Sequence, residues 1–479
     1  MSPLLYGVST ITLVPLLSPA CFLTLPTARH ILAIRCPMRN AIFYLTCNGL
    51  YNFTNGIGTQ TQLLISGLEA MQETLVAQYG PIEVHVVCPA PDAYTWGYDD
   101  GFFQQQQERL ARLGGYVHLI PYKEQPAQDL WEIRSWKALC QNVAPLLHTQ
   151  TAAYDRSLII CVDQPWLQTP HALTMSHGQL LPHRMNILLV LYSTAFTRNW
   201  DTPDAAEIAW EQQGLEASRP GSRVAVADIC PSFTDHLHTH FQLSAARFAP
   251  YTSSILVQDP TFALQGETIV RTTLQAYGIP LDADVVLAFG RAAPIKGFER
   301  LIPALAPLRD RVHFVLISVP YINDDSQQRL YDQLLHQHQV RATHIKAFTR
   351  DLPRALCQWG RTKMVVVPSR QEPFSNIPLE VALWARENGP VVVASSVGGF
   401  IDQIEAGATG FFIDISCSQH VTQTMRQVLD LSPEAHATIR QQAYQRVIRT
   451  FDLAQNFPAT LRWFWQTNSP GVGCRDCRG

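Results

Sequence analysis

Two glutamates eight positions apart, Glu372 and Glu380, bracket Phe374, Ser375, Asn376, Ile377 and Pro378 in the stretch RQEPFSNIPLE (370–380). An ionised carboxylate accepts hydrogen bonds on two oxygens, so each glutamate suits a pair of neighbouring hydroxyls. Between them, Ser375 or Asn376 is placed to cap a helix with Pro378 in its first turn. The backbone N–H groups of Ser375 through Ile377 would then face an anion at the positive end of that helix. Earlier, LAFGRAAPIKGFERL sets Arg291 and Lys296 between Gly290 and Gly297, directly after an apolar run. Arginine forks and lysine point charges are the usual partners of phosphate. In order, these groups suit a sugar at Glu372, a diphosphate at the amides and two cations, and a ribose at Glu380. Each part has a plainer reading alone: surface cations on a solvated loop, or a carboxylate stabilised by a helix dipole. The whole constellation is much less common.

The elements that must hold these residues are legible as alternation. AIFYLT, IEVHVVCPA, YVHLIPY, SLIICVD and NILLVLYS read as buried strands, with helical segments such as 60–78 and 103–113 between them. SRVAVADIC adds a strand leading to a helix around 232–241. The pattern restarts with DVVLAFG, VHFVLISV, RATHIKAF, KMVVVPS and GPVVVASS. Continuous apolar strands alternating with helices predict α/β architecture with parallel sheets covered on both faces. The turn-rich segment 251–266 marks a boundary. The expected division is an apolar extension at 1–37, Rossmann-like domains at 38–255 and 256–450, and a C-terminal helix and tail at 451–479. Open α/β sheets bind ligands beyond the carboxyl ends of their strands, so two facing domains would share a cleft.

The composition narrows the partners. Of 479 residues, 47% are hydrophobic and 16% charged, with formal net charge −3 and no long basic run. A nucleic-acid partner would need a concentrated basic face, so none is expected, and nothing indicates association with a membrane surface. Most of the eleven cysteines lie in apolar runs and read as buried thiols of a reducing, cytoplasmic compartment. Cys474 and Cys477 form a lone close pair in the tail and suggest no zinc site. Residues 1–28 carry no charge and are broken by prolines, which fits neither a signal peptide nor a spanning helix. Met38 therefore reads as a start, with 1–37 outside the fold.

At this point the motifs resemble a family. GRAAPIKG is similar to the GR-x4-KG phosphate loop of retaining GT-B glycosyltransferases, the large family 4 group that includes glycogen and sucrose-phosphate synthases. EPFSNIPLE resembles that group's E-x7-E motif, and GPVVVASSVGGFIDQIEAGATGFFID resembles the Val-Gly-Gly segment that follows it. The resemblance implies a GT-B fold and transfer of a sugar from a UDP-, GDP- or ADP-sugar to an acceptor hydroxyl with retention. Arg291, Lys296 and Glu372 would be catalytic, and Phe374, Ser375, Asn376, Ile377 and Glu380 would bind the donor. Gly56 and Gly58 of TNGIGTQTQ would be the glycine loop that approaches donor and acceptor. No metal or cofactor is implied: no Asp-x-Asp cluster stands in the donor region, and NDD at 323–325 lies away from it. The leaving phosphate oxygen would itself help to deprotonate the acceptor. One departure stands out, because Tyr192 and Ser193 occupy the place of the family's N-domain histidine, with His177 or His183 as substitutes. A nucleotide-sugar epimerase and a non-catalytic nucleotide-sugar binder remain open alternatives.

Overall fold

A computed structural model describes residues 38–467, apart from 53–55, 92–94, 96, 124, 126–127, 178–179, 200, 221 and 321–323. The expectations for 1–37 and for Cys474 and Cys477 lie outside these residues. Seven strands form a first sheet: β1 (Asn40–Leu45), β2 (Ile82–Pro89), β3 (Val117–Ile120), β4 (Arg156–Val162), β5 (Met185–Val190), β6 (Val224–Asp228) and β7 (Phe248–Pro250). Six form a second: β8 (Val285–Arg291), β9 (His313–Val319), β10 (Ala342–Ile345), β11 (Thr362–Val367), β12 (Val391–Ser395) and β13 (Phe411–Ile413). Every pairing in both sheets is parallel. Every residue of β1 and of β5 is buried, as strands covered on both faces require.

The strand orders are β3-β2-β1-β4-β5-β6-β7 and β10-β9-β8-β11-β12-β13. Each order reverses once, between β1 and β4 in the first sheet and between β8 and β11 in the second. At such a switch point the connections leave in opposite directions and a crevice opens beyond the strand ends. The loops after β1, β4, β8 and β11 therefore carry the site.

The chain crosses between the two sheets twice at one place. Ile255 forms an isolated parallel bridge with Asp452. From there the helix Leu453–Arg462 packs against the first sheet's long helix, Gly56–Tyr79. A Cβ on Gly67 would come within 2.6 Å of the Leu453 side chain, which is why this contact uses a glycine. Tyr79 and Trp465 close the contact with rings 5.2 Å apart, and Thr460 donates to the Pro250 carbonyl at 2.7 Å. The C-terminal segment thus belongs structurally with the first sheet.

The expected loop TNGIGTQTQ differs from the structure in one respect. The helix expected over 60–78 begins at Gly56, so both glycines lie in its first turn.

Candidate active site

Nine of the ten residues singled out in the sequence line one cleft of about 1880 Å³ between the two switch points. The tenth, Gly58, is buried behind the wall.

On the wall formed by the second sheet, β8 runs through Arg291, which is exposed at the strand's end. A 3-10 turn, Pro294–Lys296, follows, and Gly297 then takes φ +68°. A Cβ there would lie 2.1 Å from the Pro368 carbonyl oxygen, so the loops after β8 and β11 can cross only at a glycine. Arg370 N–H donates to the Ile295 carbonyl at 2.8 Å, and the Arg370 side chain pairs with Glu299. This crossing brings Lys296 Nζ to 2.5 Å from Glu372 Oε2, with side chains only 17% and 10% exposed. Ser369 Oγ donates to the same carboxylate oxygen at 3.3 Å. Sequence reading gave Lys296 to phosphate and Glu372, separately, to neighbouring hydroxyls of the sugar. The structure pairs them, because a carboxylate this enclosed needs a cation beside it.

The Val-Gly-Gly segment has a mechanical reason. A Cβ on Gly398 (φ +47°) would sit 2.1 Å from the Glu372 carbonyl oxygen, and one on Gly399 would sit 2.4 Å from that of Pro373. Gly399 N–H donates to the Glu372 carbonyl at 2.9 Å, fixing the carboxylate's backbone.

The helix Ile377–Trp384 begins where expected, with Pro378 near its start. Its capping differs from expectation. Asn376 is the N-cap, yet its side chain makes no cap hydrogen bond. Asn376 Oδ1 instead accepts from Gln60 Nε2 across the cleft at 2.6 Å. Ser375 Oγ accepts from the Ile377 N–H at 3.3 Å, so one of the three amides expected to meet an anion is already engaged. Phe374 packs its ring 5.9 Å from that of Phe451. Burial pushes the Glu380 carboxyl up to about 7, against the opposing pull of Arg350. Burial also lowers the Arg350 pKa, while Glu380 is the foremost of the carboxylates that hold it up.

The opposite wall is built from other means. Gly49, with φ +95°, crosses the first turn of the helix Gly56–Tyr79, and a Cβ on it would lie 2.6 Å from the Gly58 carbonyl oxygen. Gly58 therefore serves this crossing from behind the wall, and Gly49 is the glycine that sequence reading missed. Gln62 Nε2 holds the Gly49 carbonyl.

After β4, Asp163 adopts φ +61° and ψ −176°, a region that costs a non-glycine residue strain. It is 4% exposed, and burial pushes its carboxyl up to about 6. The Tyr192 N–H donates to Asp163 Oδ1 at 2.7 Å. Glu211, fully buried and pushed by that burial up to about 7, accepts from Ala195 N–H and from Gln164 Nε2. Gln164 Nε2 also donates to the Ser193 carbonyl at 2.6 Å. These bonds fix the Asp163 loop against Tyr192 and Ser193. The Tyr192 phenol is buried, which drives its pKa well above the usual tyrosine range. Where a histidine was expected, the wall thus holds a neutral phenol with a strained carboxylate beside it. His183 is exposed and does not line the cleft, and the His177 side chain lies outside the described residues. No histidine among the described residues lines the cleft. Asp324 and Asp325 do not line it either, and Asn323 lies outside the described residues. No group of three or more metal-ligating side chains occurs among the described residues.

Residues 270–446 match the model of the family glycosyl transferases group 1. The chain carries a group 1 glycosyltransferase domain. This domain contains β8 to β13 and the loops of the second wall. Among curated relatives, granule-bound starch synthase 1 of Pisum sativum is 26% identical over 204 residues, 41% of this chain and 32% of that one. A D-inositol 3-phosphate glycosyltransferase of Streptomyces griseus is 28% identical over 253 residues, 49% of this chain and 52% of that one. The chain thus spans between a third and about half of the length of these relatives. Sucrose-phosphate synthase from Thermosynechococcus elongatus superposes with a TM-score of 0.66 at 15% identity, covering 88% of this chain and 97% of that one. Anabaena HepE, crystallised with UDP and glucose, gives 0.60 at 17% identity over 88% and 97%. The glycosyltransferase domain and its partner sheet together form the GT-B fold.

Proposed function

We propose that the protein is a retaining glycosyltransferase that moves a sugar from a nucleotide-sugar donor to an acceptor hydroxyl. The observation that carries this reading is the Lys296–Glu372 pair, held by two glycine-dependent loop crossings at the switch point of the group 1 domain. As the glycosidic bond breaks, negative charge collects on the leaving diphosphate. Arg291, Lys296 and the amides at the start of the helix Ile377–Trp384 meet it as fixed positive groups. Glu372 keeps Lys296 in place and presents its other oxygen to the sugar. Glu380 takes the ribose hydroxyls, beside Arg350. On the facing wall Asp163 receives the acceptor hydroxyl in the role that a histidine was expected to fill. UDP-sugars are the first donors to test, since HepE was crystallised with UDP and glucose and an Escherichia coli trehalose-6-phosphate protein with UDP-2-fluoro glucose.

The described cysteines are all unpaired, and all but Cys417 are buried. No described helix is long and apolar enough to cross a membrane. A reducing, cytoplasmic location suits these thiols.

The test is calorimetric titration of UDP-, GDP- and ADP-sugars, followed by product analysis with and without acceptor saccharides. Transfer with retained anomeric configuration is expected. Conversion of the donor alone into an epimer, or binding with no turnover on any acceptor, overturns the reading.

A further inference from the structure

The cleft is larger than a nucleotide sugar needs. Its volume of about 1880 Å³ exceeds the roughly 300–1,000 Å³ typical of a pocket for one small ligand. The lining continues past the first sheet's switch point onto the helix Asp100–Arg112 and the turn that ends at Trp131. Trp131 is 44% exposed, although a tryptophan gains most by burial. Its backbone is held by the turn. Its N–H donates to Asp129 Oδ1 at 3.0 Å, and the Asp129 N–H donates to Glu132 Oε1 at 3.2 Å. Gln128 Nε2 ties the same turn to the Tyr122 carbonyl at 3.1 Å and to Ser135 Oγ at 2.8 Å. Gln105 and Glu108 add exposed polar groups from the neighbouring helix.

The charges on this wall argue against a phosphorylated ligand. Four cations line it, and five carboxylates do. Arg109 spends all five of its N–H donors on Glu69, Gln62, Gln106 and Ser66. Arg112 pairs with Glu69 at 2.9 Å, and Arg198 pairs with Glu207 at 2.6 Å. Lys123 lies 5.7 Å from the Tyr122 ring centre. To use Arg109 or Arg198, a phosphate dianion would have to break a pair and leave Glu69 or Glu207 less compensated, and the five carboxylates of the wall repel it. A neutral polyhydroxylated ring needs neither step: its C–H face covers an exposed indole, and its hydroxyls reach amides and carboxylates.

We infer that the acceptor is a neutral saccharide, seated on Trp131, and not a sugar phosphate or inositol phosphate. The inference rests on the transferase reading for its word acceptor, but binding alone can test it. The full chain is titrated by calorimetry, without donor, with maltotetraose, cellotetraose and chitotetraose, and with glucose 6-phosphate and inositol 1-phosphate. At least one neutral probe is expected to bind, and W131A is expected to weaken it about tenfold, the loss of one aromatic contact. W131F should recover most of that loss, and both variants should keep the parent's affinity for UDP. Tighter binding of either phosphorylated probe overturns the inference, as does no binding of any neutral probe, or equal binding by parent and W131A. If a neutral probe binds through Trp131 but no nucleotide sugar is bound, the transferase reading fails and the saccharide site stands.

Discussion

The two walls of the cleft reach the same kind of position, a switch point in a parallel sheet, by different physical means. The group 1 wall is assembled by close backbone crossings. Gly297, Gly398 and Gly399 each sit where a Cβ would meet a carbonyl oxygen at 2.1 to 2.4 Å, and the result is one enclosed ion pair. The facing wall holds its carboxylate by strain and by a buried polar node, with Asp163 at φ +61° tied down through Gln164 and Glu211. The first arrangement fixes charge where a leaving group departs. The second keeps a carboxylate poorly solvated, so that its protonation is sensitive to what binds. If this division is right, loss of Lys296 from the group 1 wall should cost turnover most, and loss of Asp163 from the facing wall should cost less and show in the pH profile of turnover.

The largest effect is expected from Lys296→Ala. Removal of a preorganised positive group near a developing charge typically costs about 10²–10³ in rate. Turnover on a nucleotide sugar should fall by about that factor. Because Glu372 loses its partner, the unliganded fold should also lose about 1–3 kcal/mol in denaturant titration. Unchanged turnover by the folded variant would remove the phosphate role.

Asp163→Asn is expected next, at about 10–100-fold in transfer, within the range of a single acid–base group. Its signature is the profile. With the carboxyl raised to about 6, the parent's kcat/KM should climb as pH rises through that value, and the variant should lose this limb. Stability should move the other way. The folded pKa lies above the ordinary 3.8, so the contribution is complete below 3.8 and is lost as pH rises through about 6. The amide variant should therefore match or exceed the parent's melting temperature at pH 8 while being less active. A variant that is less stable and keeps the acid limb would show that Asp163 serves the fold alone.

The contrast between the walls also explains what could be read from the chain. Strands β1, β5, β8 and β11 were visible because burial on both faces demands unbroken apolar runs. The second wall was visible because its glycines and charges are fixed types at fixed spacings, even though Lys296 and Glu372 were expected to act separately. Their pairing spans 76 positions and depends on how two loops cross, which no local pattern records. Asp163 was not singled out, because an aspartate after a strand looks like an ordinary turn residue, and a backbone angle leaves no mark in composition. The glycines divide: GIG holds Gly56, which lines the cleft, and Gly58, behind the wall, whereas Gly49 in the less regular CNG is the position with the left-handed backbone and the close contact. The limit near 255 came from turn-rich composition, which cannot reveal that Leu453–Arg462 returns to the first sheet.

Glu380→Gln should sit lower in the order. With its carboxyl raised to about 7 and so only partly charged near neutrality, the loss falls at the low end for a charged hydrogen bond, about 1.5 kcal/mol, so calorimetry should show UDP and intact donor weakened alike, by about 10-fold. Glu372→Gln should instead cut the donor's turnover most and weaken UDP less, because Glu372 faces the sugar directly and the diphosphate only through Lys296. The apo protein adds an independent check. The Glu380 carboxyl is raised to about 7 from 4.5, so its contribution to stability is full below 4.5 and lost as pH rises through 7. Glu380→Gln should then gain roughly 1–3 kcal/mol at pH 8 and little at pH 4.5. Equal responses of both glutamine variants to UDP and donor would erase the proposed order of sugar and ribose.

The smallest effect, and the sharpest question for the first wall, belongs to Gly56→Ala. Nothing lies within 4 Å of a Cβ built at Gly56, and the residue begins a 24-residue helix. Alanine there restricts the unfolded chain and favours the helix, so the fold should gain about 0.4–1 kcal/mol if packing were the whole story. Gly56 nevertheless lines the cleft. If donor and acceptor come within a methyl group's reach of its backbone, the same variant should be more stable and slower, with the loss confined to turnover and to ligand affinity. Denaturant titration and kinetics on one preparation separate the cases. A variant that is more stable and fully active would mean that Gly56 stands clear of the substrates, leaving Gly49 and Gly58 to shape this wall from behind.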